Sequence, residues 1–202
     1  MWPHATTPGM NATAAGELVL VRHGETAWSK SGQHTSFSDV ELTTVGEDEA
    51  RAAAVKLAGR TFAAAFTSPM RRARETCALA GLAEHAVVTE ALCEWNYGDY
   101  EGLTTAQIRA TNPGWTIFTG DPPGGETSVQ VGVRADAVIE RAVAAAAGGD
   151  VALFSHGHFL RVLGARWIGL DARDGALLRL DTATISVLGS EHDGRVLHVW
   201  NA

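Results

Sequence analysis

Glu17-Leu18-Val19-Leu20-Val21 runs directly into Arg22-His23-Gly24-Glu25-Thr26. Leu18 to Val21 form an unbroken apolar run, and a short run without polar alternation marks a strand covered on both faces. Arg22 and His23 then stand at its carboxyl edge. Two further stretches repeat the pattern: Phe62 to Phe66 stops at Thr67-Ser68-Pro69, and Val151 to Phe154 stops at Ser155-His156-Gly157-His158. Ligand crevices in open α/β sheets lie outside the carboxyl ends of the strands. Two histidines and at least two arginines are therefore expected to meet at one end of this sheet.

The segments between these strands read as helices. Thr43 is placed to cap one from about Thr44 to Gly59, with Ala50, Ala53, Ala54, Leu57 and Ala58 on its apolar face. Ser68 as cap and Pro69 at the first helical position predict a second, to about Ala80, carrying Arg71, Arg72 and Arg74 in its first turns. Thr104 opens a short helix, Thr127 to Ala147 forms a long one ended by Gly148-Gly149, and another runs to about Ile168. Val87 to Thr89 is a short strand, and strands near Thr184 to Leu188 and Val196 to Trp200 flank a turn at Glu191 to Gly194. Trp28 to Val40, Glu94 to Gly102 and Asn112 to Gly125 lack periodicity and read as loops. Strands alternating with helices predict an α/β fold around a mostly parallel sheet. Residues 1–16 read as a mobile tail, leaving 17–202 as a single domain.

Composition narrows the function. The 202 residues are 46% hydrophobic and 19% charged, a globular balance. A net charge of −7 with scattered basic residues argues against a nucleic-acid or anionic-membrane surface. Only Lys30 and Lys56 are lysines, so fourteen of the sixteen cations are arginine forks suited to carboxylate or phosphate. Cys77 and Cys93 form no CxxC pair, which fits a reducing compartment, the cytoplasm. No window approaches the ~18 apolar residues of a membrane span.

Two imidazoles, arginine forks and a carboxylate form a set for phosphoryl transfer. Guanidiniums orient a phosphoryl group, and a neutral imidazole can attack phosphorus. Glu94, at the mouth of a Gly-rich loop, is the candidate acid for the departing oxygen, although a salt bridge to an arginine would use it equally well. Arg71, Arg72 and Arg74 remain equal candidates by position. His156 and His158 have the spacing of a strand-borne metal pair, yet Gly157 and the following helix would turn one inward and one outward, and no Cys or Asp cluster completes a metal site. Trp28 and Trp95 lie in loops where they could shape the entrance, and Cys93 reads as a small apolar filler.

Leu20 to Thr26, Thr67 to Thr76, Leu92 to Gly102 and Phe154 to Gly157 resemble, in order and spacing, the motifs of the histidine phosphatase (phosphoglycerate mutase-like) superfamily, over about Glu17 to Trp200. The resemblance implies a three-layer α/β/α sandwich. It implies that His23 is the phosphorylated nucleophile, that Arg22, Arg72 and His156 form the phosphate pocket, and that Glu94 acts as general acid and then base. It also selects Arg72 over its neighbours. Ser29 and Thr35 occupy positions that contact phosphate or substrate in relatives, with Ser29 where mutases usually carry Asn. Glu126 and Ser128 match a recurring stretch without a defined role. The resemblance implies a small phosphomonoester substrate and no cofactor, and relatives are often dimers, so a homodimer stays open.

Within the superfamily the chain resembles the acid phosphatases of actinobacteria. Asp39 to Thr43 is similar to the mutases, but these carry a longer basic insertion after the general acid, whereas Glu94 to Pro113 holds one basic residue, Arg109. Hydrolysis is favoured on that ground, with activity expected on the acid side of neutral. A cofactor-dependent phosphoglycerate mutase is the alternative, and a phosphoryl-binding module without turnover is a third reading.

Overall fold

The computed structural model describes residues 16–202. Apart from Gly16, the segment read as a mobile tail lies outside the described residues. In chain order the elements are β1 (Leu18–Arg22), α1 (Ala27–Ser31), α2 (Thr44–Leu57), β2 (Phe62–Thr67), α3 (Arg71–Leu79), β3 (Ala86–Val88), α4 (Thr105–Thr111), α5 (Ser128–Ala145), β4 (Asp150–Ser155), α6 (Gly157–Trp167), β5 (Ile185–Glu191) and β6 (Gly194–Val199). The strands form one sheet in the order β3-β2-β4-β1-β5-β6. β1, β2, β3 and β4 are parallel, while β5 runs antiparallel to β1 and β6 to β5.

The continuous apolar runs follow from burial on both faces. Leu18 and Leu20 of β1 point into a large core with Val151 and Leu153 of β4, beneath α5 and α6. Val19 and Val21 point the other way and join Ala152 and Phe154 against Ala53 and Leu57 of α2 and Cys77 of α3. Adjacent residues serve opposite layers, so neither strand has a face on which polar residues would be stable. The result is an α/β/α sandwich.

β2, β4 and β1 lie side by side, which brings their three carboxyl ends together. Backbone bonds extend the ladder past the strands: His23 N donates to Ser155 O (3.0 Å) and Ser68 N to Phe154 O (3.0 Å). The turn after β1 packs directly on α2. A Cβ on Gly24 would stand 2.2 Å from Gly46 O, and one on Gly46 would stand 2.1 Å from Glu25 O, so neither position admits a side chain.

Two local expectations are corrected. Ser68 is not the N-cap of α3, which is Met70 with no side-chain cap bond; the Ser68 hydroxyl accepts a long bond from Met70 N (3.3 Å) and a shorter one from the His156 ring (2.8 Å). The stretch from Trp28 is not all loop, because Thr26 and Ser29 close a capping box that starts the short helix α1. Among the described residues no helix is long and apolar enough to cross a membrane.

Candidate active site

A cavity of about 220 Å³ opens over the carboxyl ends of β1 and β4, with Arg22, His23, Ser29, Thr35, Glu94 and His158 among its walls. A larger hollow of about 500 Å³ lies beside α3, lined in part by Arg71, Arg74 and Glu75; it contains no histidine.

His23 Nδ1 lies 2.8 Å from Gly24 O. A carbonyl only accepts, so Nδ1 carries the hydrogen and Nε2 keeps its lone pair. Burial, with Arg72 and Arg22 close by, holds His23 well below the ordinary histidine range. The imidazole is therefore neutral at neutral pH.

Arg72 is fully buried and does not line the cavity. Its Nε donates to His156 Nδ1 (3.2 Å), Nη1 to Ser38 O (3.0 Å), and Nη2 to Thr35 O (3.1 Å) and Ser36 O (3.0 Å). Four of the fork's five N–H groups are thus committed, and one on Nη1 remains. His156, accepting at Nδ1, carries its hydrogen on Nε2 and donates to Ser68 Oγ. The His23 and His156 rings meet edge to face with centroids 5.2 Å apart. Burial, then Arg72 and His23, lowers His156 well below its ordinary range as well.

Arg22 donates Nη1 to Leu180 O (2.6 Å), while its buried Nε has no acceptor among the described residues. Burial lowers the pKa of Arg22 and Arg72, against the pull of Glu94; guanidiniums stay charged regardless. A Cβ on Gly157 would lie 3.2 Å from Arg22 Cζ and Nε, a close contact that the Arg22 side chain would have to relieve.

Glu94 sits over the start of α6. Oε1 accepts from Trp95 N (2.9 Å) and Phe159 N (2.8 Å), and Oε2 from His158 N (3.0 Å). Two acceptor positions on each oxygen leave the remaining one on Oε2, which is where a proton can be held. The backbone below is clasped by Arg134 of α5, which donates to Cys93 O (2.6 Å), Ala91 O (3.1 Å) and Glu94 O (3.2 Å) and pairs with Glu126 (2.8 Å). Glu126 also accepts from Asn96 N (2.9 Å). Ser128 lies apart from the cavity, with its hydroxyl 3.4 Å from Arg173 Nε.

Ser29 and Thr35 line the cavity, but their hydroxyls are engaged locally, Ser29 Oγ accepting from Thr26 N (2.8 Å) and Thr35 Oγ1 donating to Gln33 O (3.1 Å). His158 does not point outward. It turns into the cavity with Nδ1 2.6 Å from Tyr97 Oη, because α6 begins at Gly157 and rotates the next side chain over the site. Trp95 is fully buried in the core, with its indole N–H on Glu126 O (2.7 Å), and does not frame an entrance. Cys93 is buried, its thiol pushed up to about 11 chiefly by burial, as suits a filler. Among the described residues no group of three or more His, Cys, Asp or Glu side chains is placed to hold a metal ion.

Sequence reading missed Arg134 and Glu101. Glu101 accepts from Ser36 N (2.9 Å), Ser36 Oγ (2.6 Å) and Ser38 N (3.1 Å), and so fixes the loop whose carbonyls hold Arg72. Glu101 reaches its loop across 63 to 65 positions and Arg134 reaches the backbone at Ala91 and Glu94 across 40 to 43, separations that no local pattern encodes.

Residues 18–202 match the model of the histidine phosphatase superfamily (branch 1). An acid phosphatase of Mycobacterium tuberculosis is 43% identical over 189 residues, covering 90% of this chain and 90% of that protein. A 2,3-bisphosphoglycerate-dependent phosphoglycerate mutase of Cytophaga hutchinsonii is 34% identical over 158 residues, covering 72% of this chain and 74% of that protein. A solved structure of a Mycobacterium tuberculosis open reading frame product superposes with a TM-score of 0.88 at 42% identity, over 92% of this chain and 97% of that one. The chain, an acid phosphatase-like enzyme by these similarities, belongs to branch 1 of the histidine phosphatase superfamily.

Proposed function

We propose that this protein hydrolyses small phosphomonoesters through a phosphorylated His23. The observation that carries the reading is the tautomer of that ring. Its Nδ1–H is tied to Gly24 O, so an unprotonated Nε2 faces a cavity shared with Arg22 and Glu94. Arg22, whose buried Nε has no acceptor among the described residues, takes the phosphoryl oxygens; Arg72 and His156, which lie off the cavity wall, join them as the uncommitted Nη1 donor of Arg72 and the Nε2–H of His156 turn toward the cavity.

Nε2 attacks phosphorus as the bond to the leaving oxygen breaks, and Glu94 passes the proton on Oε2 to that oxygen. The ionised carboxylate then takes a proton from water, whose oxygen attacks phosphorus. The P–N bond breaks, and phosphate and neutral His23 are restored. Glu94 must carry a proton when the ester bond breaks and be ionised when water attacks, while burial favours the neutral form of the His23 ring that acts as nucleophile.

Hydrolysis is favoured over transfer between hydroxyls because Glu94 to Pro113 offers one cation, Arg109, to retain a second phosphate. The acid phosphatase relative also matches a larger share of the chain at higher identity than the mutase. Turnover of p-nitrophenyl phosphate is the first test. His23→Ala is expected to abolish it, and normal turnover by that variant refutes the proposal. With 3-phosphoglycerate and its bisphosphate, free phosphate supports hydrolysis and 2-phosphoglycerate supports the mutase.

A further inference from the structure

We infer that Arg134, which no step of the reaction touches, is the positioning residue that keeps the Glu94 carboxyl aligned with the leaving oxygen; this rests on the phosphatase reading above. Glu94 stands in a stretch with little regular structure to fix it. It follows a single helical turn at Glu90–Leu92 and belongs to no strand. Its placement must come from groups outside that stretch.

Arg134, in the second turn of α5, supplies them. All five of its N–H groups are committed: Nε to Glu126 Oε1 (3.1 Å), Nη1 to Ala91 O (3.1 Å) and Cys93 O (2.6 Å), and Nη2 to Glu94 O (3.2 Å) and Glu126 Oε2 (2.8 Å). Among the described residues no other group donates to those three carbonyls. The guanidinium also lies 4.4 Å over the Phe159 ring. Phe159 N is one of the donors that grip the carboxylate, 2.8 Å from Glu94 Oε1. One cation thus touches both the backbone that carries the acid and a residue that receives it.

Glu126 completes the frame, which gives this residue a role. Its carboxylate meets the fork of Arg134 through two bonds, and Oε2 also accepts from Asn96 N (2.9 Å). Its backbone N donates to Asn96 O (3.0 Å), and its carbonyl accepts from Trp95 Nε1 (2.7 Å). Arg141, two turns further along α5, shows what a tether for stability alone looks like. It lies 4.5 Å over the Phe66 ring and reaches Thr89 Oγ1 (3.4 Å), but bonds to no residue that donates to the Glu94 carboxylate.

The consequence is specific in kind. A displacement of about 1 Å in the acid can cost ~100-fold in rate. Phenolate needs the proton from Glu94 far more than p-nitrophenolate, the anion of a stronger acid. The ratio of kcat/KM for phenyl phosphate to that for p-nitrophenyl phosphate therefore reads where the acid stands, whereas general loosening of the fold lowers both values equally. Arg134→Gln is expected to lower kcat/KM ~100-fold for phenyl phosphate but only ~10-fold for p-nitrophenyl phosphate. Glu126→Gln keeps an oxygen for Asn96 N and loses the charge pair; it should move the ratio the same way by ~3-fold, and it carries the test if Arg134→Gln does not fold. Arg141→Gln should leave the ratio unchanged. Equal losses on both esters, or a matching shift in Arg141→Gln, overturn the assignment and leave the phosphatase reading standing. If the unmutated chain cleaves neither ester, it is that reading which fails, and amide hydrogen exchange decides the role of Arg134. Trp95 N, His158 N and Phe159 N donate to the Glu94 carboxylate. Exchange at these amides ~10-fold faster in Arg134→Gln but not in Arg141→Gln supports the assignment, and unchanged exchange overturns it.

Discussion

Arg72 shows how one side chain joins parts of the site that the sequence keeps apart. Its fork holds three carbonyls of the loop at Thr35, Ser36 and Ser38 and orients His156 through Nδ1. Lysine offers three donors from one point and cannot span that arc. Arg72→Lys is expected to lower kcat/KM for p-nitrophenyl phosphate ~100-fold by displacing the site, and to cost ~2–4 kcal/mol in urea unfolding through buried carbonyls left unpaired. A variant with native stability and activity would contradict this account of the fork. Arg22, His23 and His156 were legible in the sequence because each ends a buried strand. Arg72 was not separable from Arg71 and Arg74 by position, since all three share one helical turn and only packing distinguishes them. Packing does so plainly: Arg72 is buried, while Arg71 pairs with Glu41 and Glu75 at the surface.

At the scale of elements, close approach of α2 to the turn after β1 sets where His23 stands. The Gly24 amide donates to Thr76 Oγ1 (3.0 Å), and that hydroxyl donates to Arg72 O (2.7 Å), so the turn is locked to α3 as well. Gly24→Ala places a methyl against Gly46 O and should cost ~3 kcal/mol, since backbone rather than a flexible side chain must yield. Unchanged urea unfolding would show that the contact is looser than the geometry requires. The strands were readable because two-sided burial writes itself as unbroken apolar runs. Ser68 misled as a cap because its hydroxyl has a better partner in His156, 88 positions away, and tertiary bonding outweighed local preference. The Thr26 and Ser29 box was visible in principle, but a helix of five residues has no periodicity to support it.

Across the whole molecule, the site concentrates neutral histidines inside an acidic protein, and this fixes how stability responds to acid. Burial holds His34 down to about 4 from an ordinary 6.5. Unfolding at lower pH lets that ring take up a proton that the folded state refuses. The stabilisation is complete above pH ~6.5 and is lost as pH falls towards ~4, about 3 kcal/mol for His34 alone. His23, His156 and His158 are shifted the same way and add to the loss. The melting temperature should fall between pH 7 and 4.5, and His34→Gln should shrink that fall by several degrees; an identical fall would remove His34 from the account. The nucleophile itself is tested most directly by stopping the protein in acid-free denaturant during steady turnover of p-nitrophenyl phosphate and weighing it intact. A gain of roughly 80 Da, mapping to the peptide that contains His23 and absent from His23→Ala, is the predicted result. Rapid phosphate release with no such adduct on His23 at any time in the turnover would contradict it.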